Sequence, residues 1–351
     1  MQTSVVTSGN RSPRILIVRL SAIGDAILTL PLLCALRDRF PQALLAWVVE
    51  QRASSILEGH EALDELIVLP KGFLKSPRAV WGLRRRLRGL RFDVALDTQG
   101  LTKSAVVGWL SGATRRIGLS GQWGREISPW LNRELVRPTA THMVDRTLEL
   151  LRPLGIERPA VQVRVPETPA EHEQAAQLVR EAGWAHGFAM INPGAGTPSR
   201  LWPPSRFAAV ARHLGAKWSL PSLVVWSGVA EMATAEWIVA ESEGHAHVSP
   251  PTSLRQLASI ARLARLFVSS DTGPLHLAVA VGTPCVGLHG PWPAEQTGPY
   301  GPQHIAVEKM VFHGSTRQRR RAGRQYMESI DVESVCHACD RILRRPSSRA
   351  A

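Results

Sequence analysis

Cysteine is scarce in this sequence, and its four cysteines are not spaced as a disulfide framework. Cys34 and Cys285 lie in apolar segments, which predicts small core side chains. Cys336 and Cys339 form a single C-x-x-C beside His337, but a structural zinc site needs four ligands and the sequence offers no second pair. The pattern favours a reducing compartment and predicts no structural metal.

Long apolar runs are also missing, since none approaches the ~20 residues that a membrane-spanning helix needs. The first thirteen residues are polar and lack the basic-then-apolar order of a signal peptide. We therefore expect a cytoplasmic protein, with any membrane contact peripheral and on the inner face of the cytoplasmic membrane.

Acidic residues are in the minority, because 42 Lys and Arg stand against 29 Asp and Glu and give a formal net charge of +13. Such an excess predicts an acidic partner, such as anionic lipid, a phosphorylated substrate or nucleic acid, unless it reflects only exposed arginines. A nucleic-acid partner is disfavoured because the sequence has no RNA-binding signature or recognition helix.

The cations are concentrated in two segments. Residues 71–91 carry eight cations and no acid, interleaved with Trp81 and several leucines. This pattern is typical of a segment that an anionic membrane surface attracts. The alternative is a solvated helix whose apolar side packs on a sheet. The second segment, residues 317–324, is predicted to lie in a late loop.

Strand and helix signals alternate along the 351 residues, which indicates βαβ units and mainly parallel sheets. A Pro-rich stretch at 163–174 separates two such series, so we expect an α/β protein with two Rossmann-like domains facing a central cleft. The predicted domains are 13–165 and 170–330, followed by a helix over 331–346 that packs back across their junction. The predicted strands are 14–20, 43–50, 65–70, 92–98, 188–193, 222–227, 266–270 and 284–289, with one helix at about 24–39.

The turn after the first strand, Ser21-Ala22-Ile23-Gly24-Asp25, is not the dinucleotide fingerprint G-x-G-x-x-G. Asp25 begins a helix, whose dipole favours the ionised carboxylate. An ionised carboxylate at the carboxyl end of a parallel sheet is a candidate general base for a sugar hydroxyl. The alternative is a helix cap without a chemical role.

A second motif, SSDTGPLH from Ser269 to His276, follows an apolar strand and opens a helix. The free amides at Thr272 and Gly273, together with the positive helix end, predict an anion site. Asp271, at the strand tip, is placed to accept hydrogen bonds from sugar hydroxyls. His276 is either a phosphate contact or a buried histidine bonded to backbone.

Two further turns are candidate contacts to a nucleotide-sugar donor. The Gly-rich loop 192–203 contains Gly196, Thr197 and Arg200, and a fixed cation there stabilises the negative charge of a departing diphosphate. In the turn 227–231, Glu231 is either a ribose contact or a helix cap. No cluster of metal ligands accompanies these turns, so we expect chemistry without a metal or other cofactor.

Together these segments resemble glycosyltransferase family 9, the ADP-heptose:lipopolysaccharide heptosyltransferases. The resemblance covers about residues 14–302, on the pieces RILIVRLSAIGDAILTLPLLCALR, FDVALDTQGLTKSA, INPGAGTPSRLWP, SGVAEM and SSDTGPLHLAVAVGTPCVGLHGP. It implies a GT-B fold and an inverting transfer of heptose from ADP-heptose to the lipopolysaccharide inner core by direct displacement. By position it makes Asp25 the base, Asp271 the donor-sugar contact, Thr272 and Gly273 the diphosphate turn, and Glu231 the adenosine ribose contact.

The resemblance is weaker at other positions. Arg200 stands where the family often has lysine, which keeps the charge but changes its geometry. Ala195 and Gly196 stand where some members have threonines near the phosphates. For the acidic glycolipid acceptor the candidates are Lys103 and Gln99, and the weaker ones are Arg125, His142 and Arg146.

Two alternatives stay open. One is a GT-B enzyme that uses another nucleotide sugar, such as a UDP-sugar, including an epimerase-like relative. The other is a catalytically inactive transferase-like protein, which is disfavoured because Asp25, Asp271 and a cation at Arg200 are all present.

Overall fold

The structure is a computed structural model and describes residues 11–345. Residues 1–10, part of the polar stretch behind the expectation of no signal peptide, and residue 346, the predicted end of the last helix, lie outside the described residues. The chain forms two compact units, with the division between Pro166 and Glu167. Within residues 11–345, no helix is both long and apolar enough to cross a bilayer.

Between residues 11 and 166, the first unit contains six strands and seven helices. The strands are β1 (Arg14–Val18), β2 (Leu44–Glu50), β3 (Glu65–Leu69), β4 (Val94–Asp97), β5 (Arg115–Leu119) and β6 (Glu134–Val136). The helices are α1 (Ile23–Ile27), α2 (Leu30–Arg39), α3 (Gln51–Ser54), α4 (Pro77–Gly89), α5 (Thr102–Ser111), α6 (Ser128–Leu131) and α7 (Met143–Leu148). Short 3₁₀ turns lie at Phe73–Lys75, Gly121–Trp123 and Glu149–Leu154.

The first sheet is parallel throughout, with the order β3-β2-β1-β4-β5-β6. Its central strands are buried on both faces, as expected for a parallel sheet covered by helices. Leu83 and Leu87 of α4 pack into this core, so the apolar side of the basic segment does face the sheet. The strand order reverses between β1 and β4, where doubly wound sheets bind their ligands.

The predicted helix at 24–39 is wrong in one respect, because the structure has two helices there, α1 and α2. Pro31 lies in the first turn of α2, where it lacks an N–H to continue the α1 hydrogen-bond pattern. The hydroxyl of Thr29 donates to the carbonyl oxygen of Asp25 at 2.8 Å and completes the junction. The break confines Asp25 to a helix of a single turn, beside the end of β1.

The second unit repeats the architecture. The strands are β7 (Ala189–Asn192), β8 (Ser222–Val224), β9 (Ala246–Val248), β10 (Leu266–Ser270), β11 (Cys285–His289) and β12 (Ile305–Glu308). The helices are α8 (Pro169–Glu181), α9 (Pro204–Trp218), α10 (Val229–Ala240), α11 (Leu254–Leu263), α12 (Gly273–Ala280), α13 (Ala294–Thr297), α14 (Thr316–Arg320), α15 (Gln325–Glu328) and α16 (Val332–Leu343), with a 3₁₀ turn at Pro198–Arg200. The order β12-β11-β10-β7-β8-β9 is again parallel throughout and reverses between β7 and β10.

The last helix, α16, packs on α9 and β12 of its own unit. Its carboxylate at Asp340 accepts hydrogen bonds from His213 (2.8 Å), Lys217 (2.6 Å) and Trp218 (2.7 Å) of α9. Cys336 and Cys339 are buried in this interface, and burial raises the pKa of Cys336 to about 11. Both are free thiols that contribute to the core.

Four strands have no counterpart in the sequence prediction: β5, β6, β9 and β12. β5 opens with two arginines, and β6 and β9 are only three residues long, so none shows the apolar run of a central strand. The predicted loop at 317–324 is also wrong in part, because Ser315 caps the short helix α14. Its side chain accepts from the N–H of Gln318 at 3.4 Å.

Candidate functional site

The switch point of the second sheet is closed by a hydrogen-bond network between the ends of β7 and β10. The amide of Asn192 donates to the hydroxyls of Ser269 at 2.9 Å and Thr272 at 3.2 Å. Those two hydroxyl oxygens lie 3.1 Å apart. The network fixes the turn that leads from β10 into α12, so the predicted motif at 269–276 is held rigidly at the carboxyl end of the sheet.

Asp271 is buried at this turn and is surrounded by cationic and donor groups. Nη1 of Arg200 donates to the carbonyl oxygen of Asp271 at 2.9 Å and lies 3.3 Å from its carboxylate. Nε2 of His276 lies 3.2 Å from the other carboxylate oxygen. The structure therefore brings three predicted donor-site residues together in one cluster.

The carboxylate of Asp271 is ionised in spite of its burial. Burial acts to raise the pKa of Asp271, but the charge of Arg200 and the neighbouring His276 and His289 outweigh it and hold this pKa well below its usual range. Burial lowers the pKa of His289, although the charge of Asp271 acts to raise it. The pair of Asp271 and Arg200 thus supplies a fixed carboxylate and a fixed cation at the strand tip.

Several buried polar atoms beside Asp271 have no hydrogen-bond partner among the described residues. They are Oγ of Ser270, Nδ1 of His276, Nε2 of His289 and Nε of Arg200. A buried polar group left without a partner costs about 1–3 kcal/mol, so such groups mark a place where a polar ligand is expected. Their concentration around one carboxylate fits a site that binds a polyhydroxylated or phosphorylated molecule.

The guanidinium of Arg200 is also held from its other side. Its Cζ atom lies 3.9 Å from the centroid of the Trp292 ring, within the range of a cation–π contact. Trp292 follows β11, and its carbonyl oxygen lies 3.3 Å from Nδ1 of His289. The indole therefore supports the planar face of the cation, an arrangement that suits arginine better than lysine.

Thr272 is the N-cap of α12, and its hydroxyl accepts from the N–H of Leu275 at 3.5 Å. The first amides of a helix have no intrahelical partner, and the helix dipole favours an anion there. Gly273 is half-exposed, whereas Thr272 is buried. This helix start, next to Arg200, provides both elements of a diphosphate site.

Glu231 lies at the start of α10, and its carboxylate accepts from the N–H of Ser227 at 2.9 Å. It faces Gly194 so closely that a Cβ at Gly194 would lie 2.4 Å from the carboxylate, which explains the glycine. Burial raises the pKa of Glu231. Gly196 is exposed in the same loop, and the hydroxyl of Thr197 lies 3.3 Å from that of Ser199.

In the first unit, the carboxylate of Asp25 forms an ion pair with Arg19. Arg19 is buried and donates to the carbonyl oxygen of Thr98 at 2.6 Å, so the cation bridges the ends of β1 and β4. The side chain of Asp25 is 40% exposed, which leaves it accessible to a ligand. The ion pair with Arg19 thus fixes the position of the carboxylate, and the exposed part of the side chain remains accessible.

A second buried arginine lies close to this pair. Burial and the charge of Arg19 lower the pKa of Arg146 to about 10, so the side chain stays cationic at pH 7. Its guanidinium stacks on Trp123 with Cζ 3.5 Å from the ring centroid, and it donates to the carbonyl oxygen of Thr141 at 3.0 Å. Two cations beside one carboxylate give this end of the sheet a net positive charge.

The candidate acceptor residues have local partners. Nζ of Lys103 lies 2.9 Å from the carboxylate of Glu50 and 2.9 Å from the hydroxyl of Ser21. The side chain of Gln99 accepts from the N–H of Leu20 at 3.0 Å. Both side chains therefore hold the loop that carries Asp25. His142 caps α7 by accepting from the N–H of Val144, and Arg125 is exposed.

No group of three or more His, Cys, Asp or Glu side chains is arranged to hold a metal ion within residues 11–345. The polar groups described at the carboxyl ends of the two sheets are instead arginine guanidinium groups, carboxylates and the first amides of α12.

The comparisons with known proteins agree with this architecture. The family model described as glycosyltransferase family 9 (heptosyltransferase) matches residues 80–326. The chain belongs to glycosyltransferase family 9. It is therefore a glycosyltransferase, and the predicted family is confirmed.

Relatives and solved structures of this family extend over most of the chain. Lipopolysaccharide heptosyltransferase 1 of Pseudomonas aeruginosa is 28% identical over 304 residues, which are 83% of this chain and 82% of the relative. The family 9 glycosyltransferase of Veillonella parvula has a TM-score of 0.81 at 23% identity and covers 95% of this chain and 98% of its own. Escherichia coli heptosyltransferase WaaC with ADP-2-deoxy-2-fluoro heptose has a TM-score of 0.72 at 22% identity and covers 93% and 99%. The predicted GT-B fold of two Rossmann-like parallel sheets is confirmed.

Four residues of these clusters were not predicted from the sequence: Arg19, Asn192, His289 and Trp292. Each lies at or just beyond the carboxyl end of a central strand. Arg19 interrupts the apolar run RILIVRL, and a cation in a buried strand is itself a signal of a partner nearby. The other three required knowledge of which strands are neighbours.

Proposed function

We propose that this family 9 enzyme transfers heptose from ADP-heptose to the inner core of lipopolysaccharide, with inversion at the anomeric carbon. The observation that carries the donor half is the cluster of Asp271, Arg200 and the N-terminus of α12. The similarity to lipopolysaccharide heptosyltransferase 1 and to a solved heptosyltransferase with an ADP-linked heptose analogue supports the same assignment.

In the proposed donor complex, the diphosphate binds the amides at Thr272 and Gly273. Arg200 neutralises the charge that develops as the bond from the anomeric carbon to the phosphate oxygen breaks. Asp271 and His276 hold hydroxyls of the donor sugar, and Glu231 accepts from the ribose hydroxyls. Gly196 and Thr197 line the same loop beside the phosphates.

In the proposed transfer step, Asp25 accepts the proton of the acceptor hydroxyl. The acceptor oxygen forms a bond to the anomeric carbon while ADP leaves with the electron pair of the broken bond. A single displacement of this kind inverts the configuration and needs no covalent enzyme intermediate. Asp25 suits the role because its ion pair with Arg19 fixes its position while the side chain stays accessible.

The acceptor in this proposal is an acidic glycolipid. The buried cations Arg19 and Arg146 beside Asp25 suit phosphate or carboxylate groups on the acceptor sugar. Lys103 contacts the acceptor if its ammonium group leaves Glu50 and pairs with an acidic group of the acceptor. Gln99 contributes by holding the loop that leads to Asp25. The cytoplasmic location and the peripheral contact with an anionic membrane surface belong to the same proposal, because the acceptor is lipid-borne.

The role of Asp25 is tested by Asp25→Asn. We expect the loss of a general base to lower kcat by about 100-fold or more, while ADP affinity stays near that of the wild type. Transfer would be measured with a deacylated lipopolysaccharide core, and ADP binding by calorimetry. Asp38→Asn is the matched control, because Asp38 also pairs with an arginine (Arg164, 2.8 Å). Wild-type turnover in Asp25→Asn would remove Asp25 as the base.

The donor is tested by a screen of nucleotide sugars in the presence and absence of EDTA. We expect turnover with ADP-heptose and not with UDP-sugars, and the same rate with the chelator, because Arg200 and the α12 amides meet the diphosphate charge. UDP release would instead support the alternative donor. Absence of turnover with every donor would support a catalytically inactive protein, and a rate abolished by EDTA would contradict metal-independent chemistry.

A further inference from the structure

The outer side of helices α4 and α5 exposes large apolar side chains among cations. Trp81 is 61% exposed on α4, Trp109 is 47% exposed on α5, and Leu74, just before α4, is 41% exposed. The two helices pack against each other, so their outer sides form one surface. We call the surface formed by Leu74, Trp81, Arg84, Arg85 and Trp109 the α4–α5 face.

An arginine lies over each tryptophan ring of this face. The guanidinium carbon of Arg85 lies 5.0 Å from the centroid of the Trp81 ring, and that of Arg84 lies 5.9 Å from the centroid of Trp109. These contacts hold the indoles at the surface, although Leu83 and Leu87 of α4 turn inward to the core. The inward leucines therefore account for the packing of α4 on the sheet. This packing does not explain why the indoles are exposed.

Helices α4 and α5 carry cations and no carboxylate. Residues 71–91 and α5 contain no Asp or Glu, and the neighbouring Glu65 pairs with Arg86 at 3.2 Å. Indole rings favour the boundary between lipid headgroups and acyl chains, and each nearby cation adds about 1 kcal/mol at an anionic surface. A neutral or basic protein partner would leave this charge uncompensated.

We infer that the α4–α5 face docks this enzyme on an anionic lipid bilayer. The indoles of Trp81 and Trp109 enter the headgroup region, and Arg84 and Arg85 pair with lipid phosphates. Helix α6 packs against α5, and its Trp130 is 88% exposed, a further indole on the surface of the same unit. The assignment rests on the proposed function in one respect, that a lipid-borne acceptor requires the enzyme at the bilayer.

The position of the face suits that task. α5 begins beside Lys103, at the carboxyl end of the sheet where Asp25 lies, and Trp109 is six residues further along. At 1.5 Å per residue the indole is about 9 Å along the helix from this end. The face and the acceptor candidate Lys103 therefore share one helix of the first unit, less than two turns apart.

The test is sedimentation of the full-length protein with phosphatidylcholine vesicles, with and without phosphatidylglycerol. We expect binding only to the anionic vesicles, weakening as salt rises. Trp81→Ser with Trp109→Ser should weaken it about tenfold or more, and Arg84→Gln with Arg85→Gln should remove the preference for phosphatidylglycerol. The matched controls are Trp237→Ser, an indole that is 44% exposed on the acidic helix α10, and Arg341→Gln on α16.

Two results would overturn the assignment: wild-type protein that binds neither vesicle, or tryptophan variants that bind as well as the controls. Self-association of the wild type that the tryptophan variants abolish, without a change in vesicle binding, would make the face a protein interface instead. Transfer to a water-soluble deacylated acceptor should stay at the wild-type rate in the tryptophan variants. Vesicle binding without any heptose transfer would leave docking intact and refute the proposed function.

Discussion

At the scale of single residues, the contact between Arg200 and Trp292 is the least expected feature of the proposed donor cluster, which consists of Asp271, Arg200 and the N-terminus of α12. Arginine is a planar cation with several donors, and it needs a surface that fixes its plane before it can act on a leaving group. Trp292 provides that surface, while Asp271 fixes the edge of the guanidinium. The ion pair with Asp271 does not by itself fix the orientation of the Arg200 guanidinium. We therefore interpret Trp292 as a positioning residue.

Replacing Trp292 with alanine tests this role. Loss of a cation–π contact of about 1 kcal/mol should lower kcat about five- to tenfold, with a smaller change in the KM for the donor. Trp292→Phe should restore most of the rate, because it keeps a ring under the guanidinium. Steady-state kinetics with varied donor would separate the two constants. An alanine variant with wild-type kcat would contradict the positioning role.

The donor cluster shows what residue patterns reveal and what they do not. The turn from Ser269 to His276 could be recognised from the sequence, since its chemistry is local and Asp271, Thr272 and Gly273 are consecutive; its role as a phosphate and sugar site stays a prediction. Arg200 could be predicted as a cation, but its partner Trp292 lies 92 residues further along the chain, as the difference of their numbers gives. Only the sheet order places the two together, so this contact was out of reach of sequence patterns.

At the scale of elements, the carboxylate of Glu171 joins α8 to α11, two helices that pack against each other. Glu171 accepts from the N–H of Thr168 at 2.8 Å and forms a two-fold contact with Arg255, at 2.6 and 2.9 Å. These contacts, led by Arg255, lower the pKa of Glu171 from 4.5 to about 2. A single side chain therefore takes part in the N-terminal cap of α8 and joins this helix to α11.

Glu171→Gln should destabilise the protein by roughly 1–2 kcal/mol at pH 7, the sum of a helix cap and one partly exposed ion pair. Because the folded-state pKa is lowered, the carboxylate stabilises the fold above pH 4.5, and this contribution is lost as pH falls towards 2. Urea unfolding at pH 7 and pH 3 would measure both differences.

Glu173→Gln is the matched control on the same helix. Its ion pair with Arg180 is well exposed on both sides, so we expect a change below about 0.5 kcal/mol at either pH. Equal losses for the two variants, or a loss in Glu171→Gln that does not shrink at pH 3, would show that the carboxylate does not link the helices as described.

Sequence patterns predicted the strands with the more apolar sequences, including the edge strand β3, and missed β5, β6, β9 and β12. The edge strands β6 and β9 expose alternate residues and are three residues long, so their hydrogen bonds to a neighbour define them more than their composition does. The junction between α1 and α2 was predicted as one helix because Pro31 alone is an ambiguous signal near a helix start.

At the scale of the whole molecule, each compact unit has its own core and its own group of candidate site residues. The first unit, up to Pro166, carries Asp25 and the α4–α5 face, and the second unit carries the donor cluster. We expect a fragment of residues 167–351 to fold cooperatively and bind ADP within about tenfold of the full-length affinity, since a tenfold change is only ~1.4 kcal/mol. The isolated first unit should bind anionic vesicles and not ADP.

Calorimetry of both fragments, with thermal unfolding as the check of folding, would measure this division. A folded second unit that binds no ADP would show that the first unit contributes to the nucleotide site. ADP binding by the first unit would contradict the assignment of the donor cluster.

The two sheets share one strand order, in which β4 of the first corresponds to β10 of the second. An aspartate stands at the end of each: Asp97 is the last residue of β4, and Asp271 directly follows β10. In the first unit Asp97 is fully occupied, because it accepts from the amides of Gln99 and Gly100 and from Ser128 and Asn132. In the second unit Asp271 faces groups that still lack partners. The same topological position therefore holds a structural aspartate in the first unit and a candidate sugar contact in the second. We therefore expect substitution of Asp97 to lower the yield of folded protein and substitution of Asp271 to lower turnover.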